Sequence, residues 1–322
     1  MVCVSYLALA ELWTVPRFPV ANGGAEIRSI EWSVAADGPM TAAVLASLGV
    51  PSLLISNDIG DDQRGHTVQR WLTERHVQRA CAIRPEVVTP RIVVVADEKD
   101  TRTWFAHLPE VAAGLAAADL SAVAGASFVY LDAYELLEEA AVRVIATART
   151  ASVPLLINLG GSPLSTAVQS AVAGYEKLLI QTNVDDDAHT DTPAVAKSLL
   201  KQLKAAWAVV TAGAHGAVAV SGVEEVSVPA FPVAVRHTHC AGAAFSGGLL
   251  YGLRAGWPMR RSMVTASASG ALRCARHHGA PLPSLAELTK ITIATDWADH
   301  RCGHVAEGAF DARAATENVP RC

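Results

Sequence analysis

Apolar runs alternate with amphipathic stretches along nearly the whole of this 322-residue chain, and that alternation limits its fold more than any other feature. Short continuous runs of Val, Ile, Leu and Ala suit strands buried on both faces, which belong in a mainly parallel sheet covered by helices. Such runs predict strands at 2–9, 52–55, 128–131, 155–158, 177–181, 208–211 and 217–221. Helical patterns fall at 39–48, 65–75, 135–150, 163–173, 193–204, 241–252 and 260–277. Two stretches, 15–34 and 89–107, carry β-branched and aromatic residues with no helix between them, which predicts antiparallel strands outside the main sheet. The expected architecture is therefore an α/β fold, a three-layer α/β/α domain over 1–290 with a small β lid from about 13–34 and 88–108. A C-terminal tail, 291–322, turns polar after Asp296.

Composition removes several classes of function. With 51% hydrophobic and 18% charged residues the chain is not disordered. A net charge of −5 and the lack of a long Lys/Arg run leave no electrostatic footprint for nucleic acid or an anionic membrane. No apolar stretch reaches the roughly 18 residues that span a bilayer, and Met1 to Trp13 reads as a first strand rather than a signal. Six widely spaced cysteines without a CxxC pair suit reduced thiols in a cytoplasmic protein.

Residues 236–252 read R-H-T-H-C-A-G-A-A-F-S-G-G-L-L-Y-G. This run resembles the second signature of the ribokinase (pfkB-type) carbohydrate kinase family, D-T-x-G-A-G-D-x-F-x-G-G. Thr238, Ala241, Gly242, Phe245, Gly247 and Gly248 match it. The resemblance extends from the first strand to about Ala280. The opening strand and turn look closest to ketohexokinase-like members, and 42–49 is similar to the helix after the first signature. Ile59-Gly60-Asp61-Asp62 with Gly65 resembles the G-D-D-x-x-G element, where the two aspartates cap the following helix. Thr101-Arg102-Thr103 resembles the lid strand, and 266–279 the helix beside the adenine.

The resemblance implies a ribokinase-like fold that uses ATP and Mg²⁺. Thr211, Gly213 and Gly216 fall in the T-x-G-x-x-G turn of the nucleotide side. Asn183 and Asp186 stand where N-x-x-E is usual, and Ala241 and Gly242 supply backbone N–H groups at a helix start that favours an anion. A lid-mediated homodimer is also expected.

The positions that would hold and activate the sugar are changed. Ala10 replaces an Asp of the first strand, Ala35-Ala36 a Gly-Gly pair, and Met40 an Asn. Ala243 replaces the Asp that serves as general base, a loss expected to lower the rate about 10²–10⁴-fold. Strand alternation puts Glu11 on the face opposite Ala10, so it is no automatic substitute.

His237, His239 and Cys240 are the gained polar groups at this mouth. A Cys near a helix start with His nearby can act as a nucleophile, and loss of Gly at 240 is tolerated only where φ is not positive. Packed and solvated residues are the plainer reading of this trio; no metal site is expected of it, nor of His300, Cys302 and His304. The expected function is a diverged family member that has become a non-kinase enzyme for a less polar small molecule. The alternatives are a pseudokinase that binds or regulates, and a small-molecule kinase with a relocated base such as His239.

Overall fold

The computed structural model describes residues 1–98 and 101–294. In chain order the strands are β1 Val2–Val4, β2 Ala8–Val15, β3 Ser29–Ala35, β4 Leu53–Ile55, β5 Ile59–Gly60, β6 Gln78–Arg79, β7 Ile83–Arg84, β8 Arg91–Asp97 and β9 Arg102–His107. They continue as β10 Val129–Asp132, β11 Leu155–Asn158, β12 Leu178–Asn183, β13 Trp207–Thr211, β14 Ala217–Val220 and β15 Glu225–Val228. The helices are α1 Asp37–Ser47, α2 Gln63–Glu74, α3 Val111–Ala116, α4 Glu138–Thr150, α5 Thr166–Val172, α6 Thr192–Leu203, α7 Ala241–Arg254, α8 Met259–Cys274 and α9 Leu285–Ala294.

The main sheet runs β15-β14-β13-β12-β11-β10-β1-β4-β6. Its strands pair in parallel from β13 across to β6, while β14 and β15 are antiparallel additions at one edge. Two apolar clusters lie on its opposite faces: one packs Leu131, Leu155 and Ile180 under α4, the other packs Tyr130, Leu156 and Val209 under α1, α7 and α8. This is the three-layer arrangement expected of fully buried parallel strands.

The first predicted strand is really two. Its run breaks after Val4, and residues from Ala8 onward form β2 of a separate four-stranded lid, β3-β2-β8-β9. The run 2–9 is apolar apart from Ser5, which is itself buried, and that hid the break. The lid's second strand starts only at Ser29, so 16–28 of the expected segment is irregular. Asp62 caps α2 as expected, its Oδ1 accepting from Gly65 N at 2.7 Å. Helix α9 runs to Ala294, across the expected boundary at 290/291. Asp296, His300, Cys302 and His304 lie outside the described residues.

Candidate functional site

Three parallel strands end in polar residues on the edge where α1 and α7 begin, the carboxyl-end crevice in which open α/β sheets bind ligands. Asp132 closes β10 and Asn158 closes β11, while Ser5 follows β1. Asp132 is fully buried and saturated with donors. Its Oδ2 accepts from Ser5 Oγ at 2.5 Å and Gly38 N at 2.8 Å, and its Oδ1 from Tyr130 Oη at 2.7 Å and Asn158 Nδ2 at 3.0 Å. Asp37, first residue of α1, accepts from Tyr134 Oη at 2.8 Å and from the same Asn158 Nδ2 at 2.9 Å. A Cβ on Gly38 would come within 2.3 Å of Ser5 Cβ, so only glycine lets α1 start this close to the strand end. Burial raises the pKa of Asp132 to about 6, the neighbouring Asp37 charge adding to it, and burial also raises Asp37. Two carboxylates bridged by one amide thus resist ionising together.

The signature helix α7 stands beside this cluster. Thr41 Oγ1, one turn into α1, donates to the Ala243 carbonyl at 3.1 Å. Ala243 itself is 0% exposed. Met40 and Ala243 belong to the cluster under α7, whereas Ala10 and Ala35 pack into the opposite one with Leu12 and Ile92. None of these four exceeds 3% exposure. Four of the five expected substrate residues are therefore core, and Ala36 is half-buried.

Two residues that carry a Cβ stand in unusual backbone at the starts of α1 and α7. Ala36, before α1, sits at φ 71°, ψ 164°. Cys240, before α7, sits at φ 60°, ψ 24°. Both are glycine-type conformations costing about 1–3 kcal/mol in a residue with a Cβ. The condition under which Cys240 would be harmless, a negative φ, is not met.

His237, His239 and Cys240 do come together, with His278 and Arg273. The rings of His237 and His278 stack at 3.7 Å between centroids, His239 meets His278 edge-on at 5.6 Å, and Arg273 Nη2 lies 3.3 Å from His278 Nδ1. Burial, reinforced by the Arg273 charge, pulls His237 down to about 4 and His239 to about 3. Burial pushes the Cys240 thiol up to about 12, which Arg273 only partly offsets. These shifts run against the expectation of an activated thiolate beside a titrating imidazole: the thiol keeps its proton and the imidazoles are neutral near pH 7. His239 Nε2 approaches the Val34 carbonyl at 3.3 Å. No group of three or more His, Cys, Asp or Glu among the described residues is arranged to hold a metal ion.

The nucleotide-side residues at the ends of β12 and β13 are unequally exposed: Thr211 is half-buried and Gly216 buried. Asn183 and Thr211 are Cα partners across these strands. Gly213 and Gly216 both have positive φ, and a Cβ on Gly216 would fall 2.2 Å from the Val228 carbonyl oxygen. Asn183, Gly213 and Gly242 are exposed, and nothing lies within 4 Å of a Cβ built on Gly242. Asp186 opens a 3-10 turn, Asp186–Asp191, that follows β12. His189 of that turn stacks on His215 at 3.7 Å.

Sequence reasoning missed Asp37, Asp132, Asn158 and Arg273. The first signal was available: F-V-Y-L-D and L-L-I-N are apolar runs that end on one polar residue, which marks the carboxyl edge of a parallel strand. Arg273 was visible as a lone charge in the small-residue run S-A-S-G-A-L-R-C.

Fold and crevice together define a three-layer kinase-type α/β protein with a β lid. The pfkB family carbohydrate kinase profile matches residues 30–285, and the chain belongs to that family. Its structure is similar to Arabidopsis thaliana ribokinase complexed with ribose and ATP, with a TM-score of 0.72 at 17% identity over 90% of this chain and 97% of that one. It is also similar to Escherichia coli phosphofructokinase-2 (TM-score 0.71, 17% identity, 91% and 98% covered) and to the Methanocaldococcus jannaschii nucleoside kinase (0.69, 16%, 91% and 97%). No curated protein matches the chain by sequence.

Proposed function

We propose that this family member binds a nucleotide but does not phosphorylate a sugar at the family's usual position, and so serves as a pseudokinase-type binding or regulatory module. One contrast carries the reading: most acceptor-side positions are buried in the core, while three of the nucleotide-side positions are exposed. Ala10, Ala35, Met40 and Ala243 are buried among apolar side chains, whereas Asn183, Gly213 and Gly242 face solvent. Phosphoryl transfer needs a positioned acceptor and a group to take its proton, and a buried methyl at 243 offers neither. A nucleotide here would have the turn from Thr211 to Gly216 and the amino end of α7 for its phosphates, with Asn183 and Asp186 toward Mg²⁺. The protonated thiol of Cys240 and neutral His239 weigh against a Cys/His enzyme in the same cleft.

A second reading has one specific observation in its favour. The Asp37–Asp132 pair is held ready to accept a proton near neutrality and stands one turn of α1 from Thr41, which touches Ala243. A kinase with its base moved to that pair would then act on a small hydroxyl compound, and the opening strand supports a ketohexokinase-like relationship. The test is calorimetric titration with ATP–Mg²⁺ followed by an ATP-consumption assay across sugars and nucleosides. Binding without acceptor-dependent consumption supports the module. Consumption lost in Asp132→Asn supports the second reading, and no binding at millimolar ATP refutes both.

We further propose a homodimer through the lid's open face. Trp32, Glu11, Val93 and Phe105 form one cross-strand row there. Trp32 and Phe105 are 56% and 65% exposed, with Ile30 next to them at 44%. Sedimentation of Trp32→Glu as a monomer beside a dimeric parent is the supporting outcome; a monomeric parent refutes it.

A further inference from the structure

Arg273 is 1% exposed, yet no carboxylate lies within salt-bridge distance of it among the described residues. A buried charge is ordinarily paired, because removing an ion from water costs several kcal/mol. Its one hydrogen bond among the described residues runs from Nη2 to His278 Nδ1. A guanidinium only donates, so that ring nitrogen accepts and the His278 proton resides on Nε2. The Arg273 Nε–H has no acceptor, and neither ring nitrogen of His237 has a partner. The Arg276 carbonyl lies close enough to favour the His237 proton but outside hydrogen-bond geometry. His237 is stacked on His278, so all these unmatched atoms belong to one cluster. It is formed by the end of α8 and the loop before α7, and these are joined by the Arg236 N–H to the Cys274 carbonyl at 2.8 Å.

The chemistry of this set is one-sided. It combines a fixed positive charge, an unmatched guanidinium N–H and an imidazole without a hydrogen-bond partner, and the carboxylate whose charge it feels, Glu31, lies beyond ion-pair distance. We propose that Arg273 and His237, with His278 as a support, form a binding site for a small oxyanion, phosphate or a phosphate-like group. An oxyanion would neutralise the buried guanidinium and accept from both orphaned donors, as charge-assisted bonds do best. Its source would be either free phosphate or the phosphate of a larger ligand. The site differs from the backbone N–H groups at the start of α7, because its donors are side chains that the family signature does not contain: His237 stands at the signature's first Asp.

The test is thermal melting of the whole protein against inorganic phosphate, sulfate and ATP, each titrated separately at constant ionic strength set with chloride. A ligand that binds only the folded state raises the melting temperature with its concentration. Phosphate and sulfate should raise it saturably, and His237→Phe should weaken that response by about tenfold or more, the worth of one lost charge-assisted bond. His237→Phe keeps the stack on His278 and is expected to fold; Arg273→Met, if it folds, should abolish the response. A response to phosphate and sulfate identifies a free-anion site, while a response to ATP alone that His237→Phe abolishes identifies the phosphate of a nucleotide. No saturable response to any of the three, or one unchanged in His237→Phe, overturns the proposal. The result is independent of the nucleotide reading, since ATP binding that survives His237→Phe leaves that reading intact.

Discussion

His239 gives the sharpest test of why the imidazoles beside α7 are not bases. Burial and the Arg273 charge hold it at about 3 in the folded protein, against an ordinary value near 6.5. The folded value is lowered, so between these limits the unfolded chain binds the extra proton and stability falls as pH falls. At about pH 5 the unfolded imidazole is almost fully protonated and the folded one is not. The interval of about 1.5 pH units, at about 1.36 kcal/mol each, sets a ceiling of about 2 kcal/mol on the loss from this residue. Some of the residue reaches solvent, which brings the expected figure to about 1–2 kcal/mol. The perturbation is His239→Gln, which retains a donor for the Val34 carbonyl without a titrating proton. Urea unfolding of parent and variant at about pH 7.5 and 5 isolates the contribution, because the imidazoles coupled to it, His237 and His278, are held low by burial and stay unprotonated in the fold across that range. The parent should lose about 1–2 kcal/mol more than the variant on acidification. A difference that does not change with pH would mean that His239 protonates freely in the fold. It would then be available as a base, and the argument against a relocated imidazole would fail.

Other outcomes follow from the same geometry. Ala36→Gly should raise stability by about 1 kcal/mol or more in urea titration, since it relieves a conformation that glycine alone adopts readily. Ala243→Asp should lower the melting temperature, because it puts a carboxylate into a fully buried site, and should not restore sugar phosphorylation while Ala10 and Met40 remain. Gly216→Ala should destabilise the turn by a few kcal/mol and abolish any ATP-dependent rise in melting temperature; its Cβ would meet Val228 O and Pro229 Cα at 2.2 and 2.6 Å. Asp132→Asn should show a smaller loss of stability than the parent on going from about pH 4 to 7. The raised folded value of Asp132 means that its contribution is full below its ordinary value and lost as pH rises through about 6.

The layered fold was legible because parallel strands buried on both faces print as unbroken apolar runs. Residues 155–158 were bounded correctly, and the predicted helices to within a few residues, while α3 and α9 were not predicted. The same property hid the turn after Val4, because Ser5, Tyr6 and Leu7 are all buried and Ser5 is the one polar mark there. That Ala10, Met40 and Ala243 stand where the resemblance expects polar groups could be read from the signatures, but not that they are buried in the clusters on the two faces of the sheet. The carboxylate pair could not be read at all as a pair: Asp37 and Asp132 are 95 positions apart, and only the strand order that puts β10 beside β1 unites them. The His–Arg cluster likewise depends on α8 ending against the loop before α7.

The bond from Thr41 to the Ala243 carbonyl ties the first turns of two helices that arise some 200 residues apart in the chain. A Cβ at Gly247 would press to 2.6 Å from Val44 Cγ1, so the two helices touch along their length as well as at their tips. They form a single mechanical plate under the crevice. Through Thr41 and the first turn of α1, the amino end of α7 is tied to Gly38, whose N–H donates to Asp132. Both walls of the crevice are thus built on one packed pair of helices, and neither can be repositioned without the other.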